Sequence, residues 1–252
     1  MVATNLLFRR GIVLAAALLC AAPVSTLAQN ARQNTPGQFD FYVLALSWSP
    51  SYCAAESERK PGGPPQAQCR ERPYHFIVHG LWPQYERGFP SYCRVPPPRL
   101  DGDTIAAMLD LMPSPDLVIH QWNRHGTCSG LNAKDFFDKV RKARAAVKIP
   151  QRFVALTRAL TVTPGAIEQA FSDANPGLSR GAIAVACDRR RLREVRICLD
   201  KDFGFRDCAE VDRRGCRRGT IVMPPVRGAR DARVKEMSPV TASPSSVALN
   251  SR

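Results

Sequence analysis

Residues 39–48 read FDFYVLALSW. Aromatic and branched residues fill this stretch, and it is long enough for a buried β-strand. Two later stretches match it. Residues 182–187 (AIAVAC) read as a strand, and residues 192–199 (LREVRICL) read as a second one alternating polar with apolar. Residues 75–79 (HFIVH) form a further short strand that runs into Gly80, Leu81, Trp82 and Pro83, where glycine and proline are expected to end it. Between these strands lie helical signals. Asp103 caps a helix ending before Pro113. Ser114 with Pro115 reads as N-cap and first residue of a second helix, which carries IHQWNRH and stops at Gly126. Asn132, with Asp135 three residues on, starts a third helix that is amphipathic through Phe136, Phe137 and Val140, and Thr163 with Pro164 starts another. Helices grouped between strands give an α+β class: one central antiparallel β-sheet flanked by several α-helices. Residues 54–73, with their prolines, glycines and charges, read as a loop tied by Cys53 and Cys69, and residues 84–99 as an irregular loop ending in three prolines.

The ends of the chain differ from its middle. Arg9 and Arg10 precede an apolar run over residues 11–24, and Thr26, Leu27 and Ala28 end in a small residue suited to cleavage before Gln29. The run is too short for a membrane anchor, which needs about 20 apolar residues. Residues 1–28 are therefore expected to be a secretory signal peptide, with no membrane association after its removal. Cys20 follows bulky Leu19, which argues against lipidation there. Residues 29–226 are expected to form a single domain. The tail over residues 227–252, rich in Ser, Pro, Arg and Ala, is expected to be a disordered extension.

The 252 residues hold 36 Lys and Arg against 22 Asp and Glu, a net charge of +14 that falls to +12 when the two arginines of residues 1–28 go. Such a chain is drawn to polyanions, nucleic acid above all, although charge also keeps an exported protein soluble. Of nine cysteines, removing Cys20 leaves eight, and an even number in an exported chain implies disulfides. No C-x-x-C pair occurs, which disfavours thiolate zinc.

Four histidines are present, and three fall in two motifs: His79 in HGLWP (residues 79–83), and His120 and His125 in HQWNRHGTC (residues 120–128). His75 lies an even number of residues before His79, so on one strand both would share a face. Cleaving RNA without a metal needs a base for the ribose 2′-OH, an acid for the departing 5′-oxygen and a cation for the phosphoryl charge. Histidine suits both proton roles, and arginine the third. His79, His125 and Arg124 meet that list, with His120 spare for the phosphate. His120 and Arg124, four apart, share a helix face. His120 and His125 are five apart, about 140° around an ideal helix, so they converge only if the helix end unwinds near Gly126 or the phosphate lies across it. The same three histidines could instead make a three-His zinc site, but the usual helical spacing is four with a Glu beside the first His, and here Gln121 stands there with Arg124 nearby.

The two motifs resemble the active-site segments of the ribonuclease T2 family. The resemblance extends to FDFYVLALSWSPSYC (residues 39–53), HGLWPQYERGFPSYC (residues 79–93) and the later cysteine-bearing strands, over roughly residues 39–223. It implies His79 as general acid, His125 as general base, His120 as a phosphate ligand, Arg124 in place of the usual Lys, and Gln121 where Glu is frequent. Gln121 still donates a hydrogen bond but carries neither charge nor proton. Trp82 is implied as the stacking residue, with Gln84, Phe89 and Tyr92 as candidates for the rest of a base pocket. The implied disulfides are Cys53–Cys69, Cys93–Cys128, Cys187–Cys216 and Cys198–Cys208. The expected protein is thus a secreted or periplasmic, monomeric endoribonuclease without metal or cofactor, acting on single-stranded RNA through a 2′,3′-cyclic phosphate. The rivals are a non-catalytic RNA-binding protein of the same fold and a three-His zinc hydrolase.

Overall fold

Alternation along the first strand sets the architecture. In the computed structural model, which describes residues 33–70 and 72–227, β1 spans Phe41–Trp48. Its even-numbered residues Tyr42, Leu44, Leu46 and Trp48 all enter the main core. Its odd-numbered Val43, Ala45 and Ser47 turn to the other face, because side chains on a strand alternate. β1 is central in a four-stranded antiparallel sheet ordered β2-β1-β5-β4, in which β2 is Phe76–Gln84, β4 is Ile183–Cys187 and β5 is Leu192–Leu199.

Helices cover one face of this sheet. Met112, Val118, Trp122, Phe136, Val140 and Phe171 meet the strand residues there, all with 1% exposure or less. The two helices that matter most are α4, Pro115–Arg124, and α5, Ala133–Ala145; the earlier ones are α1, Ser49–Arg59, α2, Ala67–Arg70, and α3, Gly102–Ala106. The chain continues through α6, Gln151–Val154, and α7, Pro164–Ala174, to α8, Ala209–Arg213. The expected caps are in place: the side chains of Ser114, Asn132 and Thr163 accept from the backbone N–H groups of Leu117, Asp135 and Ala166. Among the described residues no helix is long and apolar enough to cross a membrane.

Four sequence expectations need correction. Residues 54–59 are not loop but the end of α1, because Ala54, Ala55, Glu56, Glu58 and Arg59 are good helix formers behind Pro50 in the first turn; the break comes only at Pro61. The cap of α3 is Asp101, whose Oδ1 accepts from Thr104 N at 2.6 Å, rather than Asp103. Glycine and proline do not end the strand at residues 80–83: β2 runs on to Gln84, and residues 80–84 pair with β1. A second, two-stranded antiparallel sheet joins β3, Leu160–Val162, to β6, Ile221–Met223. The expected signal peptide, and the expected tail beyond Arg227, lie outside the described residues.

Four disulfides join Cys53 to Cys69, Cys93 to Cys128, Cys187 to Cys216 and Cys198 to Cys208, the pairing that the family resemblance implied.

Gly126 follows α4 where the chain passes over the core. A Cβ there would lie 2.5 Å from Trp122 Cε3 and 2.9 Å from the Phe136 ring, and both rings are buried too deeply to yield. Gly126→Ala is therefore expected to lower stability by about 1–3 kcal/mol through overpacking. Chemical denaturation checks this, and an unchanged midpoint would show that the Trp122–Phe136 contact is loose.

Candidate active site

The strand face turned away from the helices forms the floor of a cleft of 1060 Å³. His79 reaches it through a break in the register of β2. Leu46 pairs with Val78 and Ala45 with Gly80, so His79 is the extra residue of a β-bulge. Phe76 and Val78 point into the core before the bulge and Leu81 after it, which leaves both His79 and Trp82 on the cleft face. Three residues apart on a regular strand, they would face opposite ways.

His79 Nδ1 lies 2.5 Å from Glu194 Oε1. Glu194 is on β5, two strands away, and the small cleft-side residues Ala45 and Ser47 of the intervening β1 leave the space between them open. Burial alone would raise the Glu194 carboxyl, but the hydrogen bond and charge of His79, with Arg196 beside it at 3.0 Å, override this and hold it at about 2. An ionised carboxylate on Nδ1 keeps the proton on that nitrogen and turns Nε2 toward the cleft.

The other histidines come from α4. The helix ends at Arg124, and His125 is its C-cap with φ −119° and ψ −44°, followed by a 3-10 turn over Gly126–Ser129. The helix thus ends just before Gly126, one of the two ways the five-residue spacing allowed the histidines to converge, and His120, Gln121, Arg124 and His125 all line the cleft with His79. His125 is buried, its Nδ1 has no hydrogen-bond partner, and burial followed by the charges of Arg124, His120 and His79 pushes it down to about 3. His120 is exposed on the helix and is lowered by partial burial and by Arg124 and His79. The Nε of Arg124 is likewise buried without a partner.

Trp82 separates the two catalytic candidates. Its ring meets His79 edge-on at 5.4 Å and 81°, and stacks on His125 at 5.4 Å and 29°. The Arg196 guanidinium lies over it at 5.4 Å, and its Nε1 donates to Gln121 Oε1 at 2.8 Å. That hydrogen bond crosses directly over Gly80, where any Cβ would overlap both partners. Hence glycine follows His79: it lets strand and helix close on each other. Phe89, 40% exposed and 6.4 Å from His125, is the aromatic ring in the cleft with open surface. Gln84 lines the cleft but is buried, with its amide donating to Pro83 O. Tyr92 stands outside the lining; its N–H donates to Arg124 O and its ring sits 5.9 Å from the Arg124 guanidinium. His75 precedes β2 and is absent from the cleft lining, so it does not share the face of His79. Among the described residues, no group of three His, Cys, Asp or Glu side chains is arranged to hold a metal ion.

Sequence reasoning missed Glu194 and Arg196. The alternation of LREVRICL placed both on one polar face, but not which strand that face would look across.

Comparison with known proteins finds ribonucleases among the similar chains and folds. The ribonuclease T2 family model matches residues 39–208. A ribonuclease of Aeromonas hydrophila is 39% identical over 198 residues, covering 76% of this chain and 85% of the relative. Ribonuclease S-2 of Antirrhinum hispanicum is 31% identical over 71% of this chain and 80% of its own length. Among solved structures, RNase NT in complex with 5′-AMP superposes with a TM-score of 0.53 at 26% identity, over 74% of this chain and 98% of the other. An RNase-related protein from Calystegia sepium, at 19% identity, shares the fold with a TM-score of 0.58 over 75% of this chain and 98% of its own. The chain belongs to the ribonuclease T2 family.

Proposed function

We propose that this protein is a metal-independent endoribonuclease that cleaves single-stranded RNA by attack of the ribose 2′-OH, giving a 2′,3′-cyclic phosphate and then a 3′-phosphate. One observation carries the reading: two histidines in opposed environments face the same cleft, one held by a buried carboxylate and the other buried beside a guanidinium. Such separation is how a site keeps an acid and a base ready at one pH. His125, neutral at any pH well above 3, takes the 2′-OH proton. His79, braced by Glu194, gives the proton of Nε2 to the leaving 5′-oxygen. In the second step the roles reverse and water replaces the 2′-oxygen. Arg124, with its unpartnered Nε, and His120 meet the charge that grows on the phosphoryl oxygens. Gln121 fixes Trp82, and Trp82 sets the distance between the two histidines; Phe89 offers the free ring on which a base stacks. DNA lacks the attacking hydroxyl. All of these residues come from one chain, so a monomer suffices. The apolar leader and the four disulfides favour export, to the periplasm or beyond.

The test is incubation of the oxidised protein with a short single-stranded RNA in excess EDTA across about pH 4 to 8, with products resolved by mass. Cyclic-phosphate ends, an untouched DNA strand, and losses of about 10²–10⁴ in kcat for His79→Ala and His125→Ala are the expected results. Intact RNA from a folded protein would point to binding alone, and cleavage that appears only with added zinc would point to a metal hydrolase. The low position of His125 adds a second expectation. The kcat/KM of the wild-type protein should show no acid limb down to about pH 4, since the base stays neutral there. Gln121→Glu places a carboxylate in the same cluster, favours the imidazolium of His125, and should move the acid limb upward into the measured range. A profile that does not move would remove Gln121 from the electrostatics of the base.

A further inference from the structure

The cleft continues past the histidines to a wall that the chemistry above does not use. Residues 186–189 at the end of β4 and residues 214–218 after α8 form it, joined by the Cys187–Cys216 disulfide. Seven arginines line the cleft against three carboxylates, and every one of those carboxylates is engaged. Asp188 Oδ1 accepts from the backbone N–H groups of Arg190 and Arg191 at 2.7 Å each. Glu194 holds His79 and Arg196. Glu210 accepts from Gly88 N at 3.1 Å and pairs with Arg214 at 2.8 Å. Apart from Arg124, which serves the chemistry above, Arg189, Arg193, Arg217 and Arg218 remain, exposed, with no ion-pair partner among the described residues. In the turn between β4 and β5, Arg190 and Arg191 pair with Glu58, away from the cleft lining.

A second bulge turns Arg193 into the cleft. Ala186 pairs with Glu194 and Cys187 with Leu192, so Arg193 is the unpaired residue; Leu192 stays in the core while Arg193 and Glu194 both line the cleft. The backbone behind these arginines is fixed, with Cys216 N donating to Val185 O at 2.7 Å and Val222 N to Arg190 O at 2.8 Å. Like charges held together on a rigid frame repel, and a polyanion relieves that repulsion. Planar guanidinium donors suit phosphodiester oxygens.

We propose that Arg189, Arg193, Arg217 and Arg218 form a subsite for the phosphate backbone of the RNA strand beyond the two nucleotides that flank the cut, so that the substrate class is the long single strand rather than the dinucleotide. The occupant follows from continuity: a chain held at His79 and His125 runs along the same cleft. This rests on the ribonuclease reading.

The test compares kcat/KM for a dinucleoside monophosphate and for a strand of about 20 nucleotides, at about 50 to 200 mM salt. The proteins are wild type, the cleft variant R189Q/R193Q/R217Q/R218Q, and a control of equal charge loss outside the cleft, K60Q/R70Q/R99Q/R158Q. With a salt slope of about 0.7 per phosphate contact on single strands, the cleft variant should flatten the slope for the long strand by about 2 to 3 and leave the dinucleotide rate unchanged. Equal flattening in the control would show bulk attraction only, and a parallel fall on both substrates would assign the arginines to folding or chemistry; either overturns the subsite, as does no change. If no protein cleaves RNA, anisotropy of a labelled, non-cleavable 2′-O-methyl strand of the same length separates the two ideas. Weaker binding by the cleft variant alone sustains the subsite without the ribonuclease reading, and equal binding by all three overturns it.

Discussion

A side chain on a β-strand faces its neighbour's opposite, and HGLW asks two residues three apart to face the same way. The bulge at His79 resolves that conflict, and the site depends on it. Leu81 stays fully buried while His79 and Trp82 enter the cleft together. The break is seated against β1, whose sequence already separates two duties. Large residues at 42, 44, 46 and 48 build the core, and Ala45 and Ser47 keep the other face low. Without small residues on the middle strand, His79 could not meet Glu194 across a sheet whose strands lie about 4.8 Å apart. The same register leaves Gly80 under the Trp82–Gln121 hydrogen bond, which ties the sheet to α4. One extra residue therefore places His79 and Trp82 and ties the sheet to the helix that leads to His125.

That helix contributes by ending. As long as α4 is regular, His120 and Arg124 share its face and His125 does not. At His125 the backbone leaves helical geometry, and Gly126 lets the departing chain lie against Trp122 and Phe136. His125 is thereby carried under the stacked ring of Trp82 and out of water, where carrying a proton is costly beside Arg124. His79 reaches the same cleft from the opposite wall with a carboxylate behind it. The differing environments of the two imidazoles are consequences of where a strand bulges and where a helix stops.

Local signals in the sequence were sufficient for local structure. Ser114, Asn132 and Thr163 cap helices because their side chains act within three residues, and the aromatic and branched residues of 39–48 mark a buried strand without reference to a partner. The motif resemblance supplied the pairing of the cysteines, which spacing alone left among many possibilities. What stayed hidden was non-local. That β2 would continue through Gly80 and Pro83 depends on β1 holding it, and β1 leaves room for a proline at the edge of the sheet. Glu194 and Arg196 were visible as the polar side of a strand, but their meeting with His79 and Trp82 arises only once β1 lies between β2 and β5. Tyr92 was one candidate for the base pocket, and the fold sets its ring beside Arg124 and off the cleft lining.

The disulfides explain how such a cleft survives in loops. Away from α4 its walls include segments with little secondary structure, residues 188–189 and 214–218, and a loop without buried contacts opens easily. Cys93–Cys128 binds the segment after β2 to the turn that carries His125 away from α4. Cys198–Cys208 fastens β5 to the start of α8, and Cys187–Cys216 fastens β4 to the arginine segment that follows it. Cys187–Cys216 thus lines the cleft, Cys93–Cys128 steadies the turn beside His125, and Cys198–Cys208 is itself buried with Phe41 and Val43 in a small second core. Reduction is therefore expected to loosen the cleft walls while the main core, held by the sheet and helices, stays packed.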